Sequence, residues 1–404
     1  MKFWWIFYII DWGLFIPVAL TTAYILLFAL CSLFRHKPHV NKSRHACRFI
    51  VLIPSFRADD HILETVNSIL GQTYAQRNFD IVVISDHQGE IVNMRLAQLP
   101  ITLLTPNFDH SSKLKSMQYA MLNLPQFKIY DAVVIINAGD IVEPEYLEQV
   151  NDAYESAGTK VIQTHRLARN RNVPIARLDA IFEEINNSIF RRAHLNVGLS
   201  SALGSSGCVF DFQWFKQNIL KMHSHIGEEK ALEALLMREG IYIDYFDDIH
   251  VYNLKNTSVR DFNDQRAQWT YIQLHSAVNH LRYLPAAIFG RHYDLADKIT
   301  QWMLVPRTIM MGIISIMSLV MPFIYFTPAI KWWVVAAAAI LAFAFATPNY
   351  LIDKHWDADF LNAPLVSIGA LFNIFRAGRD EAGNRISAVG DAVQGIRRRL
   401  KGKK

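Results

Sequence analysis

The chain of 404 residues is 51% hydrophobic and only 19% charged, with a mean hydropathy of +0.12. That balance excludes a disordered chain and exceeds what an ordinary soluble core absorbs, so part of the apolar excess belongs in lipid. A net charge of +5 does not by itself suggest nucleic acid, and Cys31, Cys47 and Cys208 have no spacing for a disulfide framework or a zinc cluster.

Between residues 3 and 34 the only charged side chain is Asp11. Residues 12–34 are long enough to cross a bilayer, for which about 20 apolar residues suffice. The run ends in Leu33-Phe34-Arg35 instead of a small-residue cleavage site, so a retained span is expected, with the Trp- and Phe-rich residues 1–8 at the interface. A basic group follows: Arg35, His36, Lys37, Lys42, Arg44 and Arg48. RFIVLIP (48–54) then reads as a buried strand stopped by Pro54, and a helical pattern with Ile62, Val66, Ile69 and Leu70 closes at Gly71. FDIVVIS (79–85) is a second strand ending at Asp86, 101–104 a third, 114–124 a helix, and DAVVII (131–136) a fourth strand running into Asn137-Ala138-Gly139-Asp140. Continuous Val/Ile strands alternating with helices predict a mostly parallel sheet covered on both faces. Ligands bind outside the carboxyl ends of such strands, where Pro54, Asp86 and 137–140 fall. No glycine-rich phosphate loop supports a dehydrogenase or an ATPase. Lys113 and Lys115, just before a helix, are the nearby cations, though surface lysines are usually no more than solvated charges.

Two further spans are expected at 309–326 and 332–347, joined by a turn at 327–330, and an amphipathic surface helix at 360–375. The basic tail, from Arg397 to Lys404, and the basic group after the first span both belong in the cytoplasm by the positive-inside rule. The expected organisation is an N-terminal span with its basic segment (1–44), a cytoplasmic α/β domain (45–297), a transmembrane hairpin (298–350) and an interfacial helix with a basic tail (351–404). The predicted protein is integral to an inner or plasma membrane.

Eight segments now stand in order between apolar helices: VLIPSFRADDHILETVNSILGQTY, VVISDHQ, SSKLKSMQYAM, INAGDIVEPEYL, IQTHRLARN, GLSSALGSSGCVF, GEEKALEALLMREG and QRAQW. Together they resemble the membrane-bound, processive-type family 2 glycosyltransferases, which are inverting enzymes of the GT-A fold. The resemblance implies a Rossmann-like, mostly parallel α/β domain that moves a sugar from a nucleotide-sugar to a polysaccharide or lipid-linked acceptor at the cytoplasmic face. It implies Glu229 as catalytic base, Pro54, Asp86, Lys113, Asn137 and Arg266 at the nucleotide, and Gln265 and Trp269 at the acceptor. It also implies a divalent cation, Mg2+ or Mn2+, with Asp140 as its ligand. The partners implied are the donor, a glycan or lipid-linked acceptor, the membrane and further subunits or a second copy of the chain, with no nucleic acid. The chain departs from the family pattern at three places. The D-x-D motif falls on Asn137 and Gly139, the arginine of Q-x-x-R-W is Gln268, and the base is Glu where most relatives have Asp. An inactive pseudo-glycosyltransferase serving as a binding or scaffold subunit is therefore a second reading, and a membrane scaffold or transporter a third.

Overall fold

The computed structural model describes residues 4–34, 40–125, 127–222, 227–324 and 326–351. The predicted amphipathic segment 360–375 and the basic tail lie outside them. Eight strands form one curled sheet: β1 (Phe49–Phe56), β2 (Phe79–Asp86), β3 (Thr102–Leu104), β4 (Ala132–Ile135), β5 (Ile141–Val142), β6 (Val161–Ala168), β7 (Cys208–Asp211) and β8 (Ile243–Asn253). Their order is β3-β2-β1-β4-β7-β6-β8-β5. The β1–β2, β1–β4, β2–β3 and β6–β8 pairs are parallel, whereas β7 runs antiparallel to both neighbours and β5 antiparallel to β8. The sheet is thus mostly parallel, as the continuous Val/Ile runs predict.

The helices follow in chain order. They are α1 (Trp4–Cys31), α2 (Ile62–Leu70), α3 (Glu90–Leu96), α4 (Lys113–Asn123), α5 (Tyr146–Ala157), α6 (Pro174–Ile185), α7 (Ala193–Asn196) and α8 (Phe212–Ile219), with a π-helical stretch, Asn186–Arg192, between α6 and α7. Then come α9 (Glu228–Arg238), α10 (Val259–His280), α11 (Leu284–Phe289), α12 (Tyr293–Met303), α13 (Arg307–Ile324) and α14 (Phe326–Ala346). Alternation along β1 divides the core between the two faces of the sheet. Ile50 and Leu52 pack with α4, α8 and α9, and Phe49, Val51 and Ile53 pack with α2 and α5.

Pro54 does not stop β1 as expected. The strand pairs with β2 along its whole length but with β4 only from Phe49 to Leu52. Beyond Leu52 one side of β1 is an edge, and there a residue without an N–H costs no ladder bond.

Among the described residues, three helices are long and apolar enough to cross a membrane: residues 8–31 of α1, all of α13 and all of α14. They share a third apolar cluster with α6 and the π-helical stretch, in which Val18 and Ile25 meet Trp332, Ala339, Ile314 and Phe182. The expected turn at 327–330 is instead the first turn of α14. Pro328 is tolerated there because the first N–H groups of a helix lack intrahelical partners. This places Lys331 inside α14, paired with Asp11 of α1, which also accepts a hydrogen bond from Trp332 Nε1 at 2.8 Å. Two charges in an apolar environment are thereby held to each other.

Candidate active site

At the carboxyl ends of β1, β2 and β4 lies a cleft of about 600 Å³, closed by the first turns of α4 and α9 and the middle of α10. Pro54, Asp86, Lys113, Asn137, Glu229 and Trp269, all anticipated from sequence, line it. Asp86, at the end of β2, is buried. His87 Nδ1 lies 2.6 Å from its Oδ1, while its Oδ2 has no hydrogen-bond partner. Lys113 opens α4 just after the N-cap Ser112, whose Oγ accepts a hydrogen bond from the Lys115 amide at 3.2 Å. Its ammonium lies 3.0 Å from Glu229 Oε1 and donates to the Ser205 carbonyl.

The α9 helix delivers two adjacent carboxylates, Glu228 and Glu229, in its first turn, where the helix dipole favours negative charge. Its N-cap is Gly227 at φ +65°, and an added Cβ there would overlap Ile272 Cγ2 of α10. A glycine at this position lets the two helices approach and brings the carboxylates to the cleft wall. Burial pushes the Glu229 carboxyl up, but the Lys113 ammonium, a backbone hydrogen bond and Lys230 together outweigh it and hold the group below the ordinary carboxylate range. Lys113 also lowers Glu228, but less than burial and the neighbouring charge raise it. Burial, reinforced by the neighbouring Glu229 charge, pushes it up to about 7. Burial works against the charge on Lys113 as well, but Glu229 and Glu228 raise its pKa above the ordinary lysine value. The cleft therefore holds a formed ammonium–carboxylate pair.

Three anticipated residues stand elsewhere. Asp140 is completely buried outside the cleft lining. Its Oδ1 accepts a hydrogen bond from Asn253 Nδ2 at 2.6 Å, and burial pushes its carboxyl up. Arg266 is turned inward, paired with Asp179 and stacked 4.7–4.8 Å from the ring centroids of Phe182, Phe262 and Trp269. Gln265 accepts from Asn256 Nδ2 at 3.1 Å and does not line the cleft. Helical period explains the arginine. Phe262, Arg266 and Thr270 are four apart and form the buried stripe of α10, while Gln268, Trp269 and Ile272 share the face toward the cleft. Sequence reasoning noted Gln268 only as the residue replacing an arginine, yet it is a lining residue. The serines Ser55, Ser111, Ser112, Ser116 and Ser205 also line the cleft and were missed. The signal available was the Ser-rich stretches before Lys113 and around Gly204.

Outside the cleft lining is a buried ionic web. Glu183 of α6 meets Arg166 of β6 at 3.3 Å, Arg191 of the π-helical stretch at 3.3 Å and Lys255 at 3.2 Å. The π-helical stretch sets the azimuth of Arg191, whose guanidinium also donates to Asn187.

A family profile described as "Glycosyltransferase like family 2" matches residues 46–271, more than half of the chain. The chain belongs to this family. The mannosyltransferase PcManGT from Pyrobaculum calidifontis, in complex with GDP-Man and Mn2+, is similar at a TM-score of 0.53 and 13% identity, over 82% of this chain and 96% of that one. That likeness concerns the fold, and it agrees with the GT-A architecture expected from sequence. Residues 1–349 of S. aureus TarS in complex with UDP-GlcNAc superpose at a TM-score of 0.41 and 14% identity, over 83% of this chain and 92% of that one. No curated protein sequence matches the chain.

The residues on which the resemblance places the D-x-D motif do not suit a divalent ion. Asn137 faces the cleft with an amide, whose Nδ2 donates to Ser205 Oγ at 3.2 Å. Gly139 has no side chain, and Asp140 is buried behind it. Hard cations prefer carboxylate oxygens. Gly139 stands at φ +92°, its amide donating to Thr65 Oγ1 at 2.9 Å, so a carboxylate-bearing residue there would strain the turn. Among the described residues, the one group of three His, Cys, Asp or Glu ligand atoms within 4.8 Å of one another is His45, Cys47 and Glu155, just before β1 and away from the cleft.

Proposed function

We propose that the protein is a membrane glycosyltransferase that moves a sugar from a nucleotide-sugar to a polysaccharide or lipid-linked acceptor at the cytoplasmic face, with inversion. One observation carries the reading: the end of β2 and the first turns of α4 and α9, bearing Asp86, Lys113 and Glu229, meet in one cleft at the carboxyl ends of parallel strands. In this reading Asp86, with an unpartnered buried oxygen, receives the nucleoside through hydrogen bonds from base or ribose. Glu229 takes the proton of the acceptor hydroxyl as that oxygen attacks the anomeric carbon from the face opposite the leaving diphosphate. Trp269 and Gln268 offer the acceptor a stacking face and an amide.

The replacement of the cation ligands and the inward turn of Arg266 favour the second reading, a subunit that binds without chemistry. The two differ in one experiment. Membranes carrying the full chain are supplied with labelled UDP- and GDP-sugars, and nucleoside diphosphate binding is measured on the solubilised protein. An active enzyme labels a membrane or polymer fraction. Glu229→Gln removes that labelling by about 100-fold or more while leaving nucleotide bound. Nucleotide binding with no transfer by the parent chain would establish the scaffold.

A further inference from the structure

The cation position of this cleft is empty of anionic ligands, yet the leaving diphosphate of any nucleotide-sugar must be neutralised. Among the described lining residues the cleft holds one basic side chain, Lys113. It stands at the first residue of an eleven-residue helix whose N-cap is Ser112, where backbone dipoles add partial positive charge. Its ammonium meets Glu229 Oε1 at 3.0 Å and donates to the Ser205 carbonyl. Ser205 Oγ in turn accepts from Asn137 Nδ2 at 3.2 Å, so the residue at the family's cation position is tied to the loop that holds the lysine.

Resting on the donor-site reading above, we infer that Lys113 takes the place of the divalent cation, so that this chain binds nucleoside diphosphates without metal, and that the lysine is shared between the diphosphate and Glu229. The step balances without a metal. The acceptor O–H proton goes to the Glu229 carboxylate, and the acceptor oxygen forms its bond to the anomeric carbon. The bond from that carbon to the phosphate oxygen breaks, and its electron pair leaves with the nucleoside diphosphate. Lys113 stays protonated and offsets the charge that collects on the departing oxygen. The same ammonium, 3.0 Å from Glu229, suppresses that carboxylate's basicity. Engagement of the diphosphate divides the ammonium between two anions and weakens its hold on the carboxylate, so the base becomes more competent when the donor is in place.

Isothermal titration of UDP and GDP into the detergent-solubilised full chain tests this, in chelator and again with Mn2+ or Mg2+. The expected result is a Kd that changes less than about threefold with cation. Lys113→Met should weaken binding about tenfold to a hundredfold, as expected for loss of a charged hydrogen bond, and Lys113→Arg should retain most of it. Glu229→Gln should tighten binding several-fold by releasing the lysine, and that gain should vanish in the Lys113→Met background. Binding that needs the cation, or a Glu229→Gln gain that persists without Lys113, overturns the inference while the donor-site reading stands. Failure of both nucleotides to bind with or without cation overturns the two together. The cation comparison uses the parent chain, so it decides even if Lys113→Met fails to fold.

Discussion

Glu183 is the buried centre of the ionic web. Its carboxylate is 3% exposed and accepts from three cations, Arg166 and Arg191 at 3.3 Å and Lys255 at 3.2 Å, each of them 7% exposed or less. Replacing it with Gln keeps the volume but leaves three buried positive charges facing one another. Removing one partner of a buried pair costs about 3–5 kcal/mol, because the remaining charge is left uncompensated. For a domain of this size each kcal/mol moves the melting temperature by about 2–4 °C, so Glu183→Gln should lower it by about 6–20 °C. Differential scanning fluorimetry of the solubilised protein measures this directly. Lys255→Met, which leaves the carboxylate with two guanidinium partners, should cost less, and combining it with Glu183→Gln should cost less than the sum. The pH dependence has a definite sign. Burial opposes ionisation of Glu183, but Arg166, Lys255 and Arg191 outweigh it and hold its pKa well below 4.5. Its contribution is complete above the ordinary carboxylate pKa and is lost as pH falls through the lower folded value. A Glu183→Gln protein melting within about 2 °C of the parent at neutral pH would refute the view that this web supports the fold.

Glu228 behaves in the opposite sense. Its pKa is raised to about 7 from an ordinary 4.5, so its contribution is complete below 4.5 and lost as pH rises through 7. Glu228→Gln should flatten the melting profile over that interval, and an unchanged slope would speak against the raised value. Gly207 lies at φ +71°, where an added Cβ would overlap Thr164 Oγ1 and come within 3.1 Å of Val251 Cγ2. Gly207→Ala should destabilise by about 2–4 kcal/mol through strain and overpacking, read from denaturant or thermal unfolding. Lys331→Met strands the Asp11 carboxylate between α1 and α14 and should cost about 3 kcal/mol. Adding Asp11→Asn should restore part of the loss of yield and melting temperature.

Much of this protein was legible from local pattern. Valine- and isoleucine-rich runs marked β1, β2 and β4 because a strand covered on both faces has no polar side to show. The end of each such run located the cleft, since parallel strands point their carboxyl ends the same way and leave a crevice there. Uninterrupted apolar length similarly announced α1, α13 and α14.

What local pattern leaves open is which side of an element a polar residue takes when both sides are partly buried. Arg266 and Trp269 are three apart in one motif, yet the packing of Phe262 and Phe182 draws the arginine inward and leaves Trp269 on the cleft. Asp140 follows Gly139 by one residue, and the left-handed turn at that glycine sends its carboxylate to Asn253 instead of the cleft. The Lys113–Glu229 pair joins residues 116 apart, and the Asp11–Lys331 pair residues 320 apart. The sequence alone determined the first four strands, the spans and the end of the sheet where chemistry would gather, because each follows from the pattern of a short stretch. The charge partners inside the cleft and between the membrane helices were decided by the tertiary structure. Ionic pairing depends on distance in space, and no local repeat records which distant side chain will share a desolvated site.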